Sequence, residues 1–206
     1  MRPVRPNCDL SRRALLGLGL AAPMLSLAGC SASDPGYYTL TPWPGTPRSG
    51  GPLTVELRTP SVAAYLDRDS IVRNDRDYRL KLADGAAWAS PLPDMIGRNL
   101  ALDIGQRLPG SSVYIQTGAI STEALALVEL DVSRFLEDQA GRAEIAATLS
   151  VYRPGSGPTA SRSLHFAQAP TDGSVGALVA AFSQLLGQVA DATADALQRL
   201  PPARRS

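Results

Sequence analysis

Few side chains in this sequence have the types and spacing that catalysis or metal binding requires. His165 is the only histidine, and it alternates with Leu164 and Phe166 in a strand pattern that places the imidazole on the solvent side. With one histidine and two cysteines, the usual ligand sets for first-row transition metals cannot be assembled within one chain. We therefore expect no metal centre and no cofactor.

Serine and carboxylate chemistry find no better support. Ser156 lies in a Pro-Gly-Ser-Gly-Pro run typical of a hairpin loop, and the sequence has no Gly-x-Ser-x-Gly elbow. The pairs Asp67/Asp69 and Asp75/Asp77 are interleaved with arginines, which favours ionised, ion-paired acids over a carboxyl group with a raised pKa. No glycine-rich phosphate loop follows a predicted strand. The sequence therefore predicts a protein that is not an enzyme.

Cys30 has the most specific chemical context in the chain. Residues 1–29 have the order of an export signal, with a basic start, an apolar segment and small residues before the cysteine. Residues 27–30 read Leu-Ala-Gly-Cys, the pattern that bacterial lipoprotein signal peptidase accepts, so we expect cleavage before Cys30, which then carries the acyl chains. The apolar run of about 14 residues is shorter than the roughly 20 that a membrane-spanning helix needs. The mature chain is therefore expected to be held on a membrane by its acyl chains.

Residues flanking the cleavage site bear on location and export. Position 31 is serine, whereas aspartate there most often retains a lipoprotein in the inner membrane of Gram-negative bacteria. This favours the inner leaflet of the outer membrane, facing the periplasm. Ser11-Arg12-Arg13 before an apolar run also resembles a twin-arginine signal. The general and twin-arginine export routes both stay open.

Composition fits one domain after the signal. Residues 30–206 suffice for one compact core. The net charge of the whole chain is +1, and loss of the arginine-rich signal makes the remainder slightly acidic, so no nucleic-acid binding is predicted. Cys8 leaves with the signal and Cys30 is acylated, which leaves no thiol for a disulfide. Stability must come from packing.

Alternating patterns predict the strands. Residues 37–40 predict a short strand, and residues 41–52, rich in proline and glycine, an ordered loop or a spacer. Two stretches alternate as half-buried strands do, at Leu53, Val55 and Leu57 and at Tyr78, Leu80 and Leu82. A meander of three strands follows, with apolar positions at Val128, Leu130 and Val132, at Ile145, Ala147, Leu149 and Val151, and at Leu164 and Phe166. Glu129, Asp131, Glu144 and Thr148 are expected on the opposite, solvated face.

Two helices are predicted. The first begins at Ser90-Pro91, where the serine can accept from a free amide, and ends near Pro109. Its apolar stripe is Leu92, Ile96, Leu100, Ile104 and Leu108, and we expect the pairs Asp94/Arg98 and Asp103/Arg107 on the opposite side. The second helix begins after Asp172 or Ser174, runs for about seven turns and ends at Pro201.

These elements assemble most simply as an α+β two-layer sandwich, a mostly antiparallel sheet with both helices on one face. We divide the chain into a signal peptide at 1–29, a lipidated cysteine with a short tether and Pro/Gly-rich segment at 30–52, a single α+β domain at 53–200, and a tail at 201–206. The other sheet face is polar, and it is either solvated or meets another copy or a partner.

Four features together resemble the ABC-type transport auxiliary lipoprotein family, also called PqiC-like or YmbA-like. They are the lipobox cysteine Cys30, the Tyr-Tyr-Thr-Leu of residues 37–40, the Ala-Tyr-Leu-Asp-Arg of residues 64–68 before a strand, and Trp88 with Pro91-Leu92 opening the first helix. In order and spacing they span most of the mature domain.

The resemblance implies a non-catalytic lipoprotein of a lipid transport system, with an MCE-domain protein and an inner-membrane transporter component as partners. It also implies a docking role at the outer membrane, with a homo-oligomeric ring as a hypothesis. Tyr65, Leu66, Asp67, Arg68 and Trp88 are the candidate partner contacts, and a structural role in the core is the alternative for each. The alternative function is a structural lipoprotein that assists assembly of an outer-membrane machine.

Overall fold

A computed structural model describes residues 35–74, 79–116, 123–156 and 161–201. The predictions for the export signal, Cys30, the Asp75/Asp77 pair, Tyr78 and the tail after residue 201 lie outside the described residues. Within the described ranges there are nine strands and two helices. The strands are β1 (Gly36–Tyr38), β2 (Thr54–Leu57), β3 (Ser61–Val62), β4 (Ser70–Asn74), β5 (Leu80–Trp88), β6 (Ser112–Ile115), β7 (Ala126–Glu137), β8 (Ala143–Tyr152) and β9 (Ser161–Gln168), and the helices are α1 (Leu92–Arg107) and α2 (Val175–Gln198).

Strand β7 is the centre of the sheet. One of its edges pairs antiparallel with β8, and β8 pairs antiparallel with β9, which confirms the predicted meander. The other edge pairs in parallel with three short strands in succession, β2 at its start, β3 in its middle and β4 at its end. Strand β6 lies beside β2, while β5 lies beside β4 and carries β1 on its other edge. The sheet is mixed, and its antiparallel pairs hold most of the paired residues.

The helices pack against this sheet and against each other, so the α+β sandwich is confirmed. Helix α2 contacts β7, β8 and β9, and α1 contacts α2, β6 and β3. Ser174 caps α2 by accepting a 3.1 Å hydrogen bond from the amide of Ala177, as the sequence predicts. By length and composition α2 could also cross a bilayer, but 61% of its most apolar window is buried inside the domain. That burial is what the core helix of a folded domain shows.

Aromatic rings join the two layers of the core. Phe135 of β7 stacks on Phe182 of α2 with ring centroids 4.3 Å apart. Trp88, at the end of β5, lies 6.3 Å from each of these rings and is tilted against both. Trp88 thus closes the core between the sheet and α2, and its side chain is 4% exposed.

The segment from residue 39 to residue 52, here called the strap, is an ordered loop that crosses both helices. The amide of Thr41 donates to Ser183 Oγ of α2 at 3.1 Å, and the amide of Trp43 donates to Asp103 Oδ1 of α1 at 2.7 Å. The approach is close, because a Cβ at Gly187 of α2 would lie 2.8 Å from the Trp43 ring. The strap is therefore packed against the described domain along its length.

Two sequence expectations about α1 are wrong. Asp103 is 0% exposed and Arg107 is 1% exposed, although the pair was expected on the solvent side. The strap and α2 cover that face, and a periodicity count over α1 alone cannot include them. The expected serine cap does not form either, since α1 begins with Pro91 at the N-cap and no side-chain cap. The apolar stripe itself is confirmed, because Leu92, Ile96, Leu100, Ile104 and Leu108 are all buried.

Two of the alternating strand patterns extend past the core. Leu53 is 68% exposed, and β2 begins after it, at Thr54. Leu80 and Leu82 of β5 are 47% and 36% exposed, so the burial expected for them is wrong. Strand parity places them on the face opposite the helices, because Arg73, the neighbour of their partners on β4, pairs with Glu137 on the side of the sheet that packs against α2. The buried residues of β5 are instead Ala83 and the three at its end, from Ala86 to Trp88.

Candidate partner-binding surface

The sheet face opposite the helices carries a network around Glu129 of β7. Arg58, just after β2, forms an ion pair with Glu129 at 2.7 Å. Tyr152, at the end of β8, donates its hydroxyl to the same carboxylate oxygen at 2.7 Å. That hydrogen bond, together with burial, raises the pKa of Tyr152 above its ordinary value. Tyr152 therefore stays a hydroxyl donor at neutral pH.

An open groove of about 300 Å³ lies next to this network, between β7 and the segment that links β2 to β3. Six of the eight residues that line it carry a hydroxyl or carboxylate group, and Ser61 donates to Asp131 there. Glu129, Asp131 and Thr148 line the groove, which agrees with the sequence expectation for the solvated face. The groove can accept and donate hydrogen bonds, but its acids are already held by neighbours.

A second network surrounds Glu144 of β8. Arg134 of β7 binds both carboxylate oxygens, with Nε and Nη2 each 3.0 Å away. His165 of β9 places Nε2 2.8 Å from the same carboxylate, so the imidazole is on the polar side as its strand parity predicts. Glu144 is buried, unlike the solvated residue that the alternation predicted. It is covered because Arg134 and His165 lie against it from both neighbouring strands.

Four of the sequence-predicted contact residues form one turn before β4. The amide of Leu66 donates to Ala63 at 2.8 Å and the amide of Arg68 to Leu66 at 2.9 Å. Tyr65 fastens the turn to the sheet, because its hydroxyl donates to the carbonyl of Ser133 at 2.8 Å. Burial raises the pKa of Tyr65, which keeps this donor protonated. The turn lies beside the Glu144 network, close enough for Arg134 and Glu144 to act electrostatically on Tyr65.

The structure separates these candidates into buried and exposed groups. Leu66 is 1% exposed and belongs to the core, as does Trp88, so neither side chain offers surface to a partner. Asp67 and Arg68 are exposed, and Tyr65 is half-buried. Trp88 lies on another strand, but its backbone comes next to the turn, because its amide donates to the carbonyl of Asp69 at 2.6 Å. The exposed candidate surface is therefore Asp67, Arg68 and the rim of Tyr65.

Sequence reasoning missed the cross-strand partners on this face. The sequence analysis did not single out Arg58, Arg134 or Tyr152. Arg134 in particular breaks the expected alternation, because β7 shifts register between Val132 and Arg134. A β-bulge of this kind reverses which face a side chain occupies. The alternation of acids alone was the available signal, and it located Glu129 but none of its partners.

A third polar cluster is buried between α1, α2 and the strap. Arg107 donates to both carboxylate oxygens of Asp191 at 2.9 and 3.2 Å, and it also donates to the backbone carbonyls of Asp103 at 3.1 Å and Trp43 at 3.3 Å. Asp103 Oδ2 and Asn99 Oδ1 are buried acceptors without a donor among the residues described. Burial raises the pKa of Asp103 to about 6, even though the Trp43 amide and Arg107 act in the opposite direction.

These arrangements suit recognition by hydrogen bonds and charge. Among the residues that the structure describes, no group of three or more His, Cys, Asp or Glu side chains could hold a metal ion. The acids on the polar face are each bound by arginine, tyrosine, histidine or serine side chains. The geometry therefore gives a patterned polar surface with one shallow groove.

Comparison with known proteins finds a family match and two solved structures of similar fold. The profile of the family described as "ABC-type transport auxiliary lipoprotein component" matches residues 38–194. No curated protein matches the sequence significantly. A solved structure titled only as an uncharacterized protein has a TM-score of 0.67 at 20% identity, over 80% of this chain and 99% of that one. Protein XCC0632 from Xanthomonas campestris, of family DUF330, has a TM-score of 0.65 at 24% identity, over 79% of this chain and 95% of that one. These two likenesses concern the fold.

Proposed function

This chain belongs to the ABC-type transport auxiliary lipoprotein family, and on that premise we propose that it is a non-catalytic, membrane-anchored subunit of an MCE/ABC-type intermembrane lipid transport system. The observation that carries the proposal is the family match, which runs from the last residue of β1 through most of α2. The polar sheet face adds support, because its charged groups are arranged for contact with another macromolecule.

The proposed anchor is the thioether-linked lipid of Cys30, formed after cleavage of the signal peptide at residues 1–29. Cys30 precedes the first strand by six residues. At roughly 3.3 Å per residue, that tether allows a separation of at most about 20 Å between the lipid and β1. The domain therefore works close to its membrane, which we propose is the inner leaflet of the outer membrane.

The proposed role there is to dock or stabilise the end of a conduit formed by an MCE-domain protein, which an inner-membrane transporter component would supply with lipid. Asp67 and Arg68 are the contacts we propose, because both are exposed on a turn that Tyr65 fixes to the sheet. A homo-oligomeric ring would repeat this turn around the conduit. Such a ring would provide several equivalent contacts without any catalytic group.

The experiment is crosslinking in cells, followed by mass spectrometry of what copurifies with the acylated protein. We expect an MCE-domain protein among the crosslinked partners. The double charge reversal Asp67→Arg with Arg68→Asp should reduce its recovery at least threefold, while the matched reversal Asp138→Arg with Arg142→Asp, in the β7–β8 loop, should leave it unchanged. Fatty-acid labelling of wild type and Cys30→Ala tests the anchor separately.

Two results would count against the proposal. Recovery of only a β-barrel or assembly protein would support a structural lipoprotein of an outer-membrane machine. Membrane retention of Cys30→Ala with its signal removed would contradict the anchor. The mass of the Cys30→Ser protein across micromolar concentrations tests the ring, since a strictly monomeric mass would argue against a self-sufficient oligomer.

A further inference from the structure

Two residues of α1 keep a buried oxygen without a donor. Asp103 is 0% exposed and Asn99 is 7% exposed, and Asp103 Oδ2 and Asn99 Oδ1 accept no hydrogen bond from any residue that the structure describes. Because the two residues are four apart in one helix, they share a face, and the Asp103 side chain leans back toward Asn99. Buried acceptors without donors are costly. One hydrogen placed between these two oxygens would satisfy both.

The side-chain amide of Asn99 has a fixed orientation. Its Nδ2 donates to the backbone carbonyl of Met95 at 2.9 Å. Exchange of the amide nitrogen and oxygen would bring two carbonyl oxygens together, and neither of them can donate. The unpaired atom of Asn99 is therefore an acceptor, and the hydrogen that satisfies it comes from outside its own side chain.

Arg107 does not supply a donor to the Asp103 carboxyl group, although it lies one turn later in α1. Its Nε and Nη2 donate to Asp191 at 2.9 and 3.2 Å. Its Nη1 donates to the backbone carbonyls of Asp103 at 3.1 Å and Trp43 at 3.3 Å. All three nitrogen atoms are thus engaged elsewhere. Among the described residues, the carboxyl group of Asp103 binds one donor, the Trp43 amide, which lies 2.7 Å from Oδ1.

The charges around Asp103 balance without it. The groups that face it from α1, α2 and the strap are two arginines and two aspartates, Arg107, Arg48, Asp191 and Asp195, which are paired with one another. Arg199, largely exposed, lies 3.8 Å from Asp195 at the outer edge of this cluster. An ionised Asp103 adds a buried negative charge that has no ion-pair partner of its own, and such a charge is costly. A protonated Asp103 adds none.

These contacts control the strap, because the same carboxyl group binds the Trp43 amide. We propose that a proton on Asp103 holds the strap closed: Oδ2–H donates to Asn99 Oδ1 while Oδ1 accepts from the Trp43 amide, and loss of this proton releases the strap around Trp43. The reaction is the transfer of one proton from Asp103 to water, so it needs no other reactant. The proposal does not depend on the function proposed above.

The direction of the pH effect follows from burial. Burial raises the pKa of Asp103 from 3.8 to about 6, and Asp191 acts in the same direction, while the Trp43 amide and Arg107 lower it. An opened strap exposes Asp103 to solvent and returns its pKa toward 3.8. The closed form therefore binds the proton more tightly. Closure is fully favoured below pH 4 and weakens as the pH rises through about 6.

Release of the strap changes the surface of the domain. The Trp43 indole packs where a Cβ on Gly187 of α2 would lie 2.8 Å from the ring. When the strap opens, the indole and the surface of α2 around Gly187 become accessible. The ion pairs of Arg48 with Asp191 and Asp195 still hold the far end of the strap, so the opening is local. The domain thus covers this helix surface in acid and uncovers it near neutral pH.

The first test is hydrogen exchange at single-residue resolution, on the protein purified from cells in detergent micelles, between pH 4 and 7.5. Protection factors, which correct for the intrinsic pH dependence of exchange, are compared for the Trp43 amide and the amides of β8. One pKa unit is a factor of ten, so the rise from 3.8 to about 6 predicts that protection of Trp43 falls about a hundredfold by pH 7. Asp103→Asn should remove this fall, while Asp84→Asn, which changes an exposed carboxylate, should retain it.

Three results would overturn the proposal. Protection of Trp43 that does not change with pH would show that no proton holds the strap. Equal protection of Trp43 and β8 at every pH would show that the strap opens only when the whole domain unfolds. A fall that persists in Asp103→Asn would assign the titration to another group.

A second measurement detects the proton itself. Infrared difference spectra between pH 5 and 7.5 should contain the carbonyl band of a protonated carboxyl group at the lower pH, and this band should be absent from Asp103→Asn. In Asn99→Leu, which removes the acceptor at similar volume, the band should move to higher frequency because the acid loses one hydrogen bond. No Asp103 band at pH 5, as expected if a water molecule bridges the two oxygens instead, would overturn the proposal. An unshifted band in Asn99→Leu would contradict donation to Asn99.

Discussion

Replacing Asp103 by asparagine is expected to stabilise the domain at neutral pH. Asp103 is fully buried, and burial raises its pKa from 3.8 to about 6. A pKa that is higher in the folded state means that the group stabilises the fold while protonated. That stabilisation is complete below the unfolded pKa near 4 and is lost as the pH rises through about 6. At pH 7.5 the carboxylate is therefore buried at a net cost.

The magnitude follows from the size of the shift. One pKa unit corresponds to about 1.4 kcal/mol, so the rise from 3.8 to about 6 corresponds to about 3 kcal/mol. In Asp103→Asn the amide oxygen still accepts from the Trp43 amide. The new NH2 group replaces Asp103 Oδ2, an acceptor that has no donor. Asn99 Oδ1, one turn earlier in α1, is a second buried acceptor without a donor among the residues described. For a domain of this size, about 3 kcal/mol raises the Tm by about 6–12 °C.

The assay is equilibrium urea unfolding of Cys30→Ser protein at several pH values, followed by the fluorescence of Trp43 and Trp88. The free energy of unfolding of Asp103→Asn minus that of the parent should be small near pH 4 and should rise by about 3 kcal/mol by pH 7.5. Asp84→Asn removes an exposed carboxylate and serves as the control, with an expected change within about 0.5 kcal/mol. A difference that stays constant between pH 4 and 7.5, or an Asp103→Asn protein that is less stable throughout, would refute the reasoning.

Two further changes test the packing. Gly187→Ala would place its methyl group 2.8 Å from the Trp43 ring and should lower the free energy of urea unfolding by about 1–3 kcal/mol. The control is Gly105→Ala on α1, where no atom lies within 4 Å of the new Cβ, and this change should raise the free energy of unfolding by about 0.5–1 kcal/mol. Similar effects at both sites would contradict the close approach of the strap. Phe182→Ala removes the ring stacked on Phe135 and should cost about 3–5 kcal/mol in the same titration, so a loss below 1 kcal/mol would show that this stack does not hold the two layers together.

Local pattern was sufficient for much of the fold. The apolar stripe of α1 repeats every four residues, and the Ser174 cap and Pro201 bound α2, so both helices could be located from sequence. The β7–β8–β9 meander followed from alternation and short glycine-bearing loops. These features depend on residues within one or two elements, and the sequence shows such neighbours directly.

Features that depend on distant segments could not be predicted from local sequence pattern. Asp103 and Arg107 one turn apart form the usual pattern of a surface ion pair, but the strap covers them from sixty residues away. Leu80 and Leu82 have the alternation of a half-buried strand, and only the register of β5 with β4 and of β4 with β7 shows that they lie on the face opposite the helices. The parallel pairing of β2, β3 and β4 with β7 likewise leaves no local signature.

For the candidate site, sequence located the turn at residues 65–68 but could not sort its members. Leu66 belongs to the core, whereas Asp67 and Arg68 are exposed, and burial of this kind depends on tertiary packing. The partners of Glu129 and Glu144 come from neighbouring strands whose register includes a bulge. A single sequence does not reveal that register.

The central position of β7 also determines when the sheet can form during synthesis. Before residues 126–137 are present, the earlier strands can make only two separate patches, β1 with β5 and β4, and β2 with β6. Strand β7 joins the patches through contacts as distant as Ser61 with Asp131, seventy residues apart, and such non-local pairing slows folding. If residues 1–29 act as the proposed export signal, a chain exported unfolded completes its sheet only after β7 has crossed the membrane, whereas a chain exported through the twin-arginine route completes it in the cytoplasm. The two routes consequently differ in the compartment whose chaperones must protect the unjoined half-sheets.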